Sequence, residues 1–318
     1  MPVDTVRPSS KTPIMQITQV WEEQWTTGWT TLTPFELCGE YYLLSYKNGS
    51  GNADLSKFHK DGSYSGVWQR GWTTGWTTLA PFELYGEPYL LSYKNGSGNA
   101  DLSKFHKDGS YSGIWQQGWT TGWTTLVPFK AYGEYYLLSY KNGSGEASLD
   151  KFDQDGSYSN VWQQNWATGW TTLAPFELYG EPYLLSYKNG SGNADLSKFH
   201  KDGSYSGIWQ QGWTTGWTTL VPFKAYGEYY LLSYKNGSGE ASLDKFDQDG
   251  SYSNVWQQNW ATGWTTLAPF ELYGKCYLLS YQAGTGTAEL SRFDFATEAA
   301  SGRPVPSMTA KGIYETLK

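Results

Sequence analysis

The chain has 318 residues, a net charge of −7 and a pI near 5.1, with lysines spread singly along it. That balance argues against a nucleic-acid or anionic-membrane partner, which needs a basic stripe. Aromatic residues make up 18%, with 18 Trp and 26 Tyr, yet mean hydropathy is only −0.58. Amphipathic rings therefore stand in for aliphatic side chains, as on buried sheet faces and on sugar-contacting surfaces.

Residues 1–16 carry Pro, Ser, Thr and Lys without a period and read as a tail. They show no apolar segment of the secretory type, and no run in the chain is long enough to span a bilayer. The expectation is a cytoplasmic protein, or one exported without a classical signal. Ile17-Thr-Gln-Val-Trp21 then matches a segment that recurs at Val67-Trp68, Ile114-Trp115, Val161-Trp162, Ile208-Trp209 and Val255-Trp256.

From Trp25 the sequence Trp-Thr-Thr-Gly-Trp-Thr-Thr-Leu-Thr-Pro-Phe returns, nearly unchanged, at Trp72, Trp119, Trp166, Trp213 and Trp260, a period of 47 residues. A fixed period of this size marks a solenoid, a propeller or an array. Each unit holds four strand candidates: Trp29 to Leu37; Tyr41 to Tyr46, followed by the turn at Asn48-Gly49; Ala53 to Phe58, turning at Asp61-Gly62; and Tyr64 to Trp68. Asn-Gly is expected to supply the positive φ angles of a tight hairpin. The Asn-Gly-Ser triplets at Asn48, Asn95, Asn142, Asn189 and Asn236 match glycosylation acceptors, but without an entry signal they read as turns.

Four hairpin-linked strands per unit describe a propeller blade. Three Trp positions in six units account for all 18 Trp only if Trp21 belongs to the unit that begins at Trp260. That unit resembles the others as far as Phe293 and lacks a fourth strand. We therefore expect an all-β, six-bladed β-propeller over residues 17–293, with residues 17–22 completing the last blade so that no edge is left open. A pair of three-repeat β-trefoils is the competing fold, but no junction appears at Gln164-Asn165-Trp166. Residues 72–165 and 166–259 differ only at Thr73 against Ala167. Residues 294–318 fall outside the period, and Ala310 to Leu317 could form a helical turn or two.

Leu43, Leu44, Phe35, Phe58, Val67, Trp68 and their equivalents are expected in the core between stacked blades. Trp25, Trp72, Trp119, Trp166, Trp213 and Trp260 lie in the connections between blades, on the same rim as the Asn48 hairpin, and read equally as packing or as ligand contacts. Trp29, Trp76, Trp123, Trp170, Trp217 and Trp264 lean towards packing but remain candidates. The strand-end tyrosines Tyr46, Tyr93, Tyr140, Tyr187, Tyr234 and Tyr281 form a third candidate set. An indole face beside backbone amides and Asn or Ser oxygens suits a shallow sugar site.

The Trp-x-x-Gly-Trp-Thr-x-Leu-x-Pro-Phe and Leu-Leu-x-Tyr motifs resemble those of propeller lectins of the tectonin and tachylectin type, over residues 17–293. The resemblance implies carbohydrate sites between adjacent blades, built on Trp25 and its five counterparts. Six blades depart from the five or seven of those lectins. The functional expectation is a multivalent binder of glycans or glycoconjugates, its avidity raised by ~10² to 10⁴ through repetition; a protein-interaction scaffold is the alternative.

Catalysis is not expected, because near-identical blades present the same residues six times, whereas an active site needs groups in different roles. His59, His106 and His200 occupy one equivalent position, and there is no metal spacing, nucleophile elbow or phosphate loop. No cofactor is expected. Calcium at Asn52 and Asp54 is disfavoured by the low carboxylate density. Cys38 and Cys276 are expected as free thiols, with a seam disulfide as the other option.

Overall fold

The computed structural model describes residues 14–296, and the expected tails and the helical turn at 310–317 lie wholly or largely outside that range. The first strand, β1 (Ile14–Gln24), precedes blade one, which comprises β2 (Thr31–Leu37), β3 (Glu40–Tyr46), β4 (Asn52–Phe58) and β5 (Tyr64–Gly71). Blades two to five repeat this as β6–β9 (78–118), β10–β13 (125–165), β14–β17 (172–212) and β18–β21 (219–259). Blade six contains β22 (Thr266–Leu272), β23 (Lys275–Tyr281) and β24 (Thr287–Ala296), and β1 pairs with β24 as its outermost strand. The protein is thus an all-β propeller of six four-stranded antiparallel sheets, and among the described residues it has no helix.

The N-terminal strand makes the closure. It pairs with β24 from Ile14↔Ala296 to Gln24↔Thr287, and is longer at both ends than the sequence suggests. Three further contacts join blade six to blade one and the connection leading into it. Trp25 N donates to Gly286 O at 2.8 Å, Tyr281 Oη to Thr26 O at 2.9 Å, and Trp21 Nε1 to Gly62 O at 2.9 Å. The first two bonds recur at each of the other blade junctions, as in Trp72 N to Gly51 O and Tyr46 Oη to Thr73 O, and the third recurs from blade one to blade five, as in Trp68 Nε1 to Gly109 O.

Each blade buries both faces against its neighbours. Leu44, Leu55 and Ala53 are fully buried against blade two, while Phe58 and Leu43 pack on Leu272, Tyr277 and Leu279 of blade six. The expectation for Val67 fails: Val67, Ile114, Val161 and Ile208 are 37–40% exposed. The cause is a bulge. Leu55 pairs with Trp68 and Ser56 with Gly66, leaving Val67 as the extra residue of the outer strand.

Two turn expectations also change. Neither Asn48 nor Gly49 has positive φ; Gly51 does, at 75°. A Cβ at Gly51 would lie 2.1 Å from Trp72 O, so only glycine lets the hairpin approach the connection to the next blade. Asn48 works through its side chain, whose Oδ1 accepts from Gly75 N at 2.6 Å. The paired positive φ angles occur instead between the first two strands of each blade, at Cys38-Gly39 and its counterparts such as Tyr85-Gly86. The Asp61 turn is as read: its Oδ1 accepts from Ser63 N at 3.0 Å and Ser63 Oγ at 2.6 Å.

Both cysteines are free. Cys276 packs among Ala225 and Tyr230 of blade five, on the side of blade six away from blade one and Cys38. Burial pushes its thiol up to about 12.

Candidate functional site: the clefts between blades

The aromatic residues singled out in the sequence converge at the blade junctions, but mostly as structure. Tyr46, Tyr93, Tyr140, Tyr187, Tyr234 and Tyr281 are 0% exposed, and each hydroxyl donates to a backbone carbonyl of the following connection, as Tyr93 does to Thr120 O. They lie in the core and offer no face to a ligand. Trp29, Trp76, Trp123, Trp170 and Trp217 each carry a lysine ammonium 4.3–4.5 Å from the ring centroid, which occupies the face a sugar would use. Trp264 has no such lysine, because Gln282 stands at that position, and it is buried.

Trp25, Trp72, Trp119, Trp166 and Trp213 are half-buried and Trp260 is buried. The Nε1 atoms of Trp25, Trp119 and Trp213 donate to Tyr64, Tyr158 and Tyr252 of the next blade at 2.7–2.9 Å. At the last junction Ile17 replaces that tyrosine, and Trp260 Nε1 is buried without a partner, as are those of Trp72 and Trp166.

The clefts differ in what the third strand contributes. On the face turned towards the preceding blade, blades one, two and four present Asn, Asp and Ser (Asn52, Asp54 and Ser56 in blade one). In blades three and five the order becomes Glu, Ser, Asp (Glu240, Ser242 and Asp244 in blade five), with Asn254 replacing the glycine opposite the Asp. In blade five this face and Trp213, Trp217 and Tyr252 line a cleft of about 240 Å³.

Blade six is unlike either kind. Its face carries Thr287, Glu289 and Ser291, and the residue directly across from Glu289 is Glu22 of the closing strand. The same cross-strand position holds Asp54 with Gln69, Asp101 with Gln116 and Asp195 with Gln210, where the glutamine amide donates to the carboxylate at 3.4–3.5 Å. In blades three and five it holds Ser148 with Gln163 and Ser242 with Gln257. Among the described residues only blade six sets two carboxyls opposite each other, with β carbons ~4.5–5.5 Å apart for such a pair. Burial first, and then the charge of Glu22, push Glu289 up to about 7. At neutral pH Glu289 thus still holds a proton for a large part of the time.

Sequence reasoning missed Glu22 and Glu289. The signal was in the 47-residue alignment: with Trp21 matched to Trp68, Glu22 falls on Gln69 and Glu289 on Asp54. Among the described residues no group of three or more His, Cys, Asp or Glu side chains is placed to hold a metal ion. His59, His106 and His200 are surface residues whose Nε2 atoms meet a serine hydroxyl at 2.9–3.0 Å.

No protein-family model and no curated protein matches this chain. Solved structures do. A candidate 6-phosphogluconolactonase of Bacteroides fragilis aligns with a TM-score of 0.52 at 11% identity, covering 92% of this chain and 97% of that one. The periplasmic gluconolactonase of Pseudomonas aeruginosa gives 0.48 at 12% identity over 70% and 68%. A protein from Lactobacillus plantarum gives 0.47 at 11% over 81% and 82%. At these identities the likeness shows the propeller fold.

The comparisons and the clefts together correct the functional expectation. Of the three structures above, the one with a TM-score over 0.5 carries a lactonase name; the tectonin likeness finds no support, nor does the scaffold alternative. The reason for excluding catalysis also fails. The ring does not present one site six times: the seam closed by β1 contains a carboxyl pair found in no other blade.

Proposed function

We propose that the protein is a hydrolase whose acid–base pair is Glu289 and Glu22, and that its substrate is an unphosphorylated lactone of a sugar acid. The observation that carries this reading is the single cross-strand carboxyl pair, with Glu289 near 7. An acid tuned close to working pH beside a second carboxyl is the pattern by which two like groups take different roles. The substrate class draws on the lactonase name of the solved propeller that this fold resembles. A phosphorylated lactone is disfavoured because two carboxyls and a net charge of −7 would repel it.

In this mechanism the Glu22 carboxylate removes a proton from water as the water oxygen bonds to the lactone carbonyl carbon. Glu289 then delivers its proton to the ring oxygen as the acyl carbon–oxygen bond breaks, giving the open hydroxy acid. Proton exchange between the two glutamates restores the starting state. Partial enclosure of Glu289 favours its neutral form by limiting hydration of the charge.

The test is hydrolysis of glucono-1,5-lactone in a pH-stat. The intact protein should exceed the spontaneous rate, and Glu22→Gln or Glu289→Gln should lower kcat by ~10²-fold or more. Rates equal to background for all three proteins would remove the proposal.

A further inference from the structure

The clefts of blades three and five are independent of the seam and pose a separate problem. Asp244 is largely enclosed, and its carboxylate meets only neutral donors: Ser242 Oγ at 3.1 Å and Asn254 Nδ2 at 3.1 Å. Asp150 repeats this with Ser148 at 3.0 Å and Asn160 at 2.9 Å. Among the described residues no cation compensates either one. The nearby Lys235 is engaged elsewhere, paired to Glu240 at 2.7 Å, bonded to Thr214 Oγ1 at 3.0 Å, and seated over Trp217. In blade one, by contrast, the carboxylate sits two residues nearer the start of the strand, where the charge of Lys47 favours ionisation. The exchange of Asp and Ser therefore moves the acid away from the blade's own lysine and into the aromatic part of the cleft.

A largely enclosed carboxylate without a cation, at the wall of a cleft of about 240 Å³ lined by Trp213 and Tyr252, is a site lacking its counter-charge. Ring faces there would add to the attraction for a positive group. We propose that these two clefts bind a small organic cation bearing a primary ammonium group, one per cleft, with Asp150 and Asp244 as counter-ions. Ser148 with Asn160, and Ser242 with Asn254, fix the carboxylate so that it faces the ligand. Burial alone holds these carboxyls above their ordinary range, and a bound ammonium would favour their ionised form.

The test is calorimetric titration of the full chain with 1,4-diaminobutane at physiological salt, with 1,4-butanediol as the neutral control. Two ligands per chain are expected, with no binding of the diol. Asp244→Asn and Asp150→Asn should each remove one equivalent and the double variant both, while Asp61→Asn on the surface leaves two; melting curves check that each variant is folded. Equal binding of the diol, unchanged stoichiometry in the double variant, or no heat with 10 mM diamine (~5 mM or weaker) would each overturn the proposal. Should the Asp variants fail to fold, the intact protein still decides it through the diol control and the number of diamines bound per chain.

Discussion

Replacing Glu289 by glutamine removes the proton that the seam holds while keeping the shape of the side chain. The folded protein binds that proton more tightly than the unfolded chain does, because the carboxyl is raised from an ordinary 4.5 to about 7. For a raised carboxyl, stability is fullest below about 4.5, falls as pH climbs through the interval to about 7, and is level above it. Each pKa unit corresponds to ~1.4 kcal/mol, so a 2.5-unit gap, 7 minus 4.5, sets a ceiling of roughly 3.4 kcal/mol. The carboxyl is only partly enclosed, and solvent screening reduces this to ~1–2 kcal/mol. At ~2–4 °C per kcal/mol for a domain of this size, Glu289→Gln should melt a few degrees above the parent at pH 8. The two should converge at pH 4. Calorimetry of both proteins across this range is the assay, and a difference that does not change with pH would refute the reasoning. The more stable variant would also be the inactive one, as expected where a site is built at the expense of the fold.

Removing residues 1–24 should expose the edge of β24 and give a protein that associates or loses cooperative unfolding, seen by light scattering and urea titration; a monomer of parental stability would contradict closure by β1. Gly51→Ala should cost ~2 kcal/mol or more in urea unfolding, because its Cβ would meet the Trp72 carbonyl in an unfavourable backbone region. Val67→Thr should stay within ~0.5 kcal/mol of the parent, whereas Leu44→Ala should cost ~2–5 kcal/mol, since one is a bulge residue and the other is fully enclosed.

The period, the four strands per unit and the borrowed outer strand are all legible in the sequence, because Trp and Gly recur at fixed positions and one unit ends a strand short. The bulge is not, since the alternation of apolar residues at Val67-Trp68 looks the same with or without an extra residue; only the register Leu55↔Trp68, Ser56↔Gly66 reveals it. Tyr46 reads as a rim aromatic from its place at the strand end, yet the close approach of the next connection at Thr73 encloses it. The seam pair demanded two steps at once, matching Trp21 to Trp68 and then asking which residue lies across from Glu289. Repeat averaging hid it, because the one blade that departs from the pattern is the one assembled from both ends of the chain.

The pH–rate profile of lactone hydrolysis, measured for the parent and for Glu22→Gln, bears most directly on the seam chemistry. The parent rate should fall on the alkaline side with an apparent pKa near 7, and in Glu22→Gln what activity remains should fall off at lower pH, since the neighbouring charge that helps raise Glu289 is gone. A parent profile with no break between pH 6 and 8, roughly a unit either side of that value, or a break that stays in place without Glu22, would contradict it.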